Sequence, residues 1–165
     1  MEKNKLPNIT SILGQKAIME RIQFKLEEIE YLAKNLGIDD IFRNKKFIEV
    51  LAANKLGHMW NDKPYGADAY EKIGDKEFPT EYKSAKVGGS FQFHWLSVSK
   101  MLKIQECRNV YFLITEGVTI KEIYTIPTEK ILQLIAEKAS GGKSINGHKS
   151  FSLPQLISLG ADRVA

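Results

Sequence analysis

Apolar residues recur at near-helical spacing from the first quarter of the chain. In SILGQKAIMERIQFKLEEIEYLAKNLG they fall at Ile18, Ile22, Leu26, Ile29, Leu32 and Leu36, and Gly37 stands where a helix C-cap is expected. An amphipathic helix over 11–36 follows, its stripe packing on its own domain or on a second copy, with the own domain as the expectation. A second helix runs through KKFIEVLAANKLG, with Phe47, Ile48, Leu51, Ala52 and Leu56 toward the core and Gly57 ending it. Two short strands are expected within GADAYEKIGDKEFPTEYKSAK, then a helix near SVSKMLKIQEC. The apolar runs NVYFLIT and VTIKEIYTI form a hairpin turning at Glu116 and Gly117. Pro127 opens a helix, PTEKILQLIAEKA, that buries Ile131, Leu132, Leu134 and Ile135. SGGKSINGHKS reads as a basic, glycine-rich loop, and FSLPQLISLG as a short closing element. Strands and helices interleave without repeat or linker, so a single α/β domain over 1–165 is expected.

Composition narrows the function classes. With 43% hydrophobic and 27% charged residues the chain can build one core and is not of disordered type. A net charge of +4 permits a polyanionic partner without requiring one. Cys107 is the only cysteine, which removes an intrachain disulfide, and its place after an apolar helical run makes it a packed thiol rather than a nucleophile. The stretch MEKNKLPNIT lacks an apolar signal core and no run reaches membrane-spanning length, so a cytoplasmic, non-membrane protein is expected. Three scattered histidines, with no Cys/His ligand spacing, phosphate-binding loop or dinucleotide fingerprint, set aside zinc, nucleotide and nicotinamide chemistry. His58 and Trp60, just after the second helix, are accounted for by loop packing.

The candidate chemistry lies in the first hairpin. If Gly74 and Asp75 make a two-residue turn, Ile73 faces Lys76, and counting outward sets Asp68 opposite Glu81. Opposed residues share a face with Cβ atoms roughly 4.5–5.5 Å apart, and period-two alternation returns Lys83 to that face. Facing carboxylates cost a structural sheet about 0.2–1 kcal/mol. A divalent cation reverses the sign, and Mg²⁺ takes carboxylate oxygens, a backbone carbonyl and waters. Lys83 then positions or activates water and offsets charge developing on phosphorus, which points to metal-assisted phosphodiester hydrolysis. Pro79, opposite Tyr70, must avoid a ladder hydrogen bond for this register to hold. The competing reading is a solvated hairpin on which Asp68, Glu81 and Lys83 merely face water, with or without a Glu81 to Lys83 contact.

Asp68 followed by Glu81-Tyr82-Lys83 resembles the D…ExK signature of the PD-(D/E)xK nucleases, with Ala67 at the proline position. Over residues 31–160, the segments YLAKNLGIDDIF, FIEVLAANKLG, GADAY, EYKSAK, FQFHW, VYFLITEGVTIKEIYTIPTEKI and INGHKS are similar in order and spacing to the PvuII-like type II restriction endonucleases. The resemblance implies a restriction-endonuclease-like mixed β-sheet flanked by helices, of α/β (α+β) class. It further implies a Mg²⁺-dependent homodimer cutting double-stranded DNA at a short palindrome, with 11–36 as candidate dimerisation helix and a cognate DNA methyltransferase protecting the same site.

Residue by residue, it puts Asp68 and Glu81 on the metal-binding acids and Lys83 on the catalytic lysine. Glu49 falls where many nucleases of that superfamily carry a supporting glutamate; the PvuII-like enzymes have glutamine there, so an exposed helix glutamate is expected. Asn44 falls on a minor-groove position, Gln92, His94 and Trp95 on the major-groove segment, and His148, Lys149 and Ser152 on the second base-reading segment. Lys143 and Lys149 would also approach phosphates from the loop. Trp95 and Leu96 replace histidines, and Ser152 and Leu153 replace asparagines, so the same chemistry at a different target is implied. The alternatives are another nuclease of this fold, acting on junctions or damage, and a non-catalytic DNA-binding module.

Overall fold

The computed structural model describes residues 12–38, 40–43, 46–61, 63, 66–140 and 147–165. Two compact units emerge, 1–44 and 45–165.

In the first unit, helix α1 (Ile12–Asn35) ends where Gly37 takes φ of +78°, a left-handed conformation open to glycine without strain. The amides of Gly37 and Ile38 then satisfy the carbonyls of Lys34 and Ala33 at 2.9 Å each. Its own unit leaves the apolar stripe open: Ile22, Leu26, Ile29, Leu32 and Leu36 are 43–59% exposed.

The second unit is a mixed α+β body, in agreement with the expected class. Helix α2 (Lys46–Leu56) is followed by strands β1 (Met59–Trp60), β2 (Ala69–Ile73), β3 (Lys76–Lys86) and β4 (Ser90–Leu96). Helix α3 (Val98–Glu106), strands β5 (Asn109–Glu116) and β6 (Thr119–Pro127), helix α4 (Thr128–Ser140), strand β7 (Gly147–Ser152), helix α5 (Leu153–Ser158) and β8 (Asp162–Arg163) complete it. Six strands form one sheet in the order β1-β2-β3-β5-β6-β8, and β4 pairs with β7 in a second, two-stranded sheet. Among the described strands of the large sheet only β3 and β5 run parallel. Among the described residues no helix is long and apolar enough to cross a membrane.

Both faces of the large sheet are packed, which is why β5 is buried from Val110 to Thr115. On one face Ile48, Ala52 and Ala53 of α2 meet Tyr82, Tyr111, Leu113 and Ile123. Leu51 is 45% exposed and Ala53 is buried, so the inward stripe of α2 is turned from the expected one. The other face packs Phe112 against Phe91, Phe93 and Phe151, with Ile104 of α3 and Ile131 and Ile135 of α4 in the same cluster. Phe91 meets Phe112 edge-on at 4.9 Å between ring centroids, and Phe93 meets Phe151 at 5.6 Å. Cys107 is buried and its thiol is pushed up to about 12, first by burial and then by the carboxylates of Glu81 and Asp68. It is a packed thiol, as its sequence context implies.

Candidate functional site

The hairpin forms on the expected register: Ile73 pairs with Lys76 across Gly74 and Asp75, Tyr70 with Pro79, and Ala69 with Thr80. Hydrogen-bonded and non-hydrogen-bonded pairs alternate outward from the closing pair. Pro79 thus lands at a non-hydrogen-bonded position, where its missing N–H costs nothing.

At Thr80 the strand changes partners. Pairing with β2 stops there, and pairing with β5 starts at Glu81, which faces Val110. On the side that β2 leaves, Asp68 fills the gap: its main-chain N–H donates to the Thr80 carbonyl at 3.1 Å, and its Oδ2 accepts from the Tyr82 N–H at 2.7 Å. Asp68 is thereby clamped on both sides of Glu81. Lys83 Nζ pairs with Glu81 Oε1, lies 3.4 Å from the Tyr82 carbonyl and sits 5.2 Å from the centroid of the Phe93 ring. Glu81 and Lys83 side chains are only 17% and 15% exposed, which excludes the reading of charges that merely face water.

Burial sets the electrostatics. The Asp68 carboxyl is pushed up to about 7, first by desolvation and then by the carboxylates of Glu81 and Glu49; Lys83 and the Tyr82 amide oppose the shift. Desolvation alone would lower the Lys83 ammonium, but Glu81, Asp68 and Glu49 outweigh it and hold the group above its ordinary value. Lys83 is therefore a protonated donor. Glu49 is raised by burial, against Lys46 and Lys83, and pairs with Lys46 at 3.5 Å. The expectation of an exposed helix glutamate is corrected: α2 brings Glu49 into the field of the same cluster. Lys100 of α3 also senses it, its ammonium being lowered by burial and Lys83 against the pull of Glu81 and Asp68.

A residue passed over in the sequence holds Asp68 in place. Buried Asn61 donates from Nδ2 to the Ala67 carbonyl at 2.8 Å, accepts at Oδ1 from the Lys63 N–H at 3.0 Å, and its own N–H donates to the Asp68 carbonyl at 3.2 Å. An asparagine beside a glycine-bearing loop is a weak signal, and only the fold shows what it holds. Asn61→Ala removes these side-chain bonds at a buried position and is expected to cost about 1–3 kcal/mol, read as a lowered urea midpoint with an unchanged slope. His58 and Trp60 serve packing: His58 Nδ1 lies 2.8 Å from the Tyr82 hydroxyl, and Trp60 packs beside the α2 cluster.

The base-reading candidates divide. Phe91 and Phe93 point inward on β4, so Gln92 and His94 face outward, and on β7 His148 and Ser150 do the same. Gln92 Nε2 donates to the hydroxyls of Ser90 and Ser150 at 2.9 and 3.0 Å. His94 and His148, 54 residues apart, meet with their Nδ1 atoms 2.8 Å from each other. Gly147–Ser152 is a strand rather than part of a loop, and this turns Lys149 inward to 8% exposure; it does not stand out toward phosphates. Ser152 is engaged as the N-cap of α5, accepting from the Gln155 N–H in a capping box. Trp95 lies in β4 beside a register shift between Phe93 and Leu96. Asn44 and Lys143 lie outside the described residues.

Among the described residues no group of three or more His, Cys, Asp or Glu is arranged to hold a metal ion. The donors at Asp68, Glu81 and the Tyr82 carbonyl are nonetheless all hard oxygens, the set that Mg²⁺ takes with waters completing its shell. The Glu81 carboxylate that helps raise the Asp68 carboxyl is also a repulsion that a cation would relieve. No protein-family model matches the chain, and no curated protein matches its sequence.

Proposed function

We propose that the chain is a Mg²⁺-dependent DNA endonuclease of the PvuII-like type II restriction class, cutting both strands at a short palindrome as a homodimer. The observation that carries the reading is the convergence of Asp68, Glu81 and Lys83 at the point where β3 exchanges β2 for β5, with the Asp68 carboxyl raised to about 7. Perturbed carboxyls around a paired lysine are a mark of functional sites, and no structural need of the sheet accounts for them.

The roles follow from the protonation states. When bound by Asp68, Glu81 and the Tyr82 carbonyl, Mg²⁺ would supply Lewis acidity and lower the proton affinity of water. Lys83, held protonated, is unable to act as a general base; it donates hydrogen bonds and stabilises the negative charge that grows on phosphate oxygens. Glu81 orients the Lys83 ammonium through their direct pair. Glu49 adds negative charge from α2. The outward polar row of Gln92, His94, His148 and Ser150 carries the donors and acceptors that read base edges, and Lys100 ties it to the cluster by donating to the His94 carbonyl at 2.9 Å. The apolar stripe that α1 leaves open within its own unit supports the dimer. A methyltransferase acting on the same site would be the partner gene product.

The test is digestion of unmethylated phage DNA by pure protein in Mg²⁺ or EDTA, beside Glu81→Ala, with the fragment ends sequenced. Discrete fragments that require Mg²⁺ and Glu81 are expected, and their ends give target and stagger together. Cleavage of branched or damaged duplexes alone would instead assign a junction or repair nuclease. Tight DNA binding without cleavage in any divalent metal would leave the non-catalytic module.

A further inference from the structure

We propose that His94 and His148 form a two-histidine binding site for a borderline first-row divalent cation, Zn²⁺, Ni²⁺ or Cu²⁺, distinct in its ligand chemistry from the carboxylate cluster. The two rings come from different strands of the small sheet, with Phe93 pairing Lys149 on one side of them and Leu96 pairing Gly147 on the other. Their centroids are 5.0 Å apart and their planes are inclined at 73°. The register shift between Phe93 and Leu96 sets two β4 residues against one on β7, a bulge that aims His94 across at His148.

The contact brings two imidazole nitrogens within reach of one ion. Two Nδ1 atoms at 2.8 Å can share one proton, whereas with both rings charged two donors would face each other without an acceptor. A metal ion accepts both lone pairs at once. Two imidazole nitrogens at Zn–N lengths of about 2.0–2.1 Å stand about 3.3 Å apart on a tetrahedral ion and about 2.9 Å apart at adjacent square-planar positions. The observed 2.8 Å spacing lies close to the second value, and a turn of the two rings off their hydrogen-bond line would bring both lone pairs onto one ion. Both rings are exposed on the strand face, so waters can complete the coordination shell. The His94 main chain is anchored by the Lys100 ammonium, which limits the freedom lost on binding. Imidazole ligands favour these metals over Mg²⁺, and affinity should run in the order Cu²⁺ above Ni²⁺ and Zn²⁺. The site stands whether or not the chain cuts DNA.

The experiment uses the full chain without any affinity tag, titrated calorimetrically with Ni²⁺ at pH 7.5, and Cu²⁺ electron paramagnetic resonance on the same protein. One equivalent of Ni²⁺ should bind, weakened at least about tenfold in His94→Gln and in His148→Gln and unchanged in His58→Gln. Binding should release protons and weaken in acid, because an imidazole ligates only in its neutral form. The Cu²⁺ spectrum of the wild-type protein should carry hyperfine structure from two imidazole nitrogens, reduced to one in either variant. No uptake of Ni²⁺ or Cu²⁺ by the wild-type protein, retention of wild-type affinity in both variants, or a wild-type spectrum with fewer than two imidazole nitrogens would overturn the proposal.

Discussion

Lys83→Ala should lower the single-turnover cleavage rate by about a hundred- to a thousandfold while leaving DNA affinity nearly unchanged. Lys83 contributes one ammonium in a largely buried cluster, so it adds little to long-range attraction for the phosphate backbone. Its charge matters where negative charge develops, in surroundings that screen poorly. Burial alone would work against that charge, yet Glu81, Asp68 and Glu49 keep Lys83 protonated above its ordinary range. Lys83→Arg retains a cation, but it replaces a compact ammonium with a planar fork beside Phe93 and should recover only part of the rate. Rapid-quench measurement at saturating enzyme reads the effect. A Lys83→Ala protein that cuts at the wild-type rate would remove the lysine from the chemistry.

Asp68→Asn should abolish cleavage and at the same time stabilise the fold at pH 8. The Asp68 carboxyl sits at about 7 in the folded chain, against an ordinary value of 3.8. Between roughly pH 4 and pH 7 the folded protein therefore binds the proton that the unfolded chain has lost, and stability falls as pH rises through this window. Above pH 7 the whole penalty is present, on the order of 2–4 kcal/mol once partial solvent access is allowed for. Asparagine keeps the oxygen that accepts from the Tyr82 amide and carries no charge, so it escapes the penalty. The variant should melt roughly 5–15 °C above wild type at pH 8 and match it near pH 4. Mg²⁺ should raise the melting temperature of wild type at pH 8 and leave Asp68→Asn unmoved, since a ligand stabilises only the state that binds it. Equal or greater stability of wild type at pH 8 in EDTA would contradict the burial argument.

Both predictions rest on an arrangement that was partly legible beforehand. The hairpin count identified Asp68 and Glu81 as neighbours because a two-residue turn at Gly74 and Asp75 leaves a single register. The environment of Glu49 escaped it, because a helix glutamate looks alike on paper whether it faces water or a buried cluster. Lys149 misled for the converse reason. Its glycine-rich surroundings read as a solvated loop, whereas pairing of Gly147–Ser152 with β4 imposed an alternation that turned the lysine inward.

What the sequence by itself determined was local: helix ends at Gly37 and Gly57, both in the left-handed region, the tight turn after Ile73, and the class of the fold from the interleaving of periods. These depend on steric limits within a few residues, and no distant partner alters them. The tertiary structure alone decided that β3 runs parallel to β5, that Asp68 fills the gap left by β2, and that His94 meets His148. Each of these turns on which distant surfaces exclude water from one another, and burial, not residue type, then sets the charge states on which the chemistry depends.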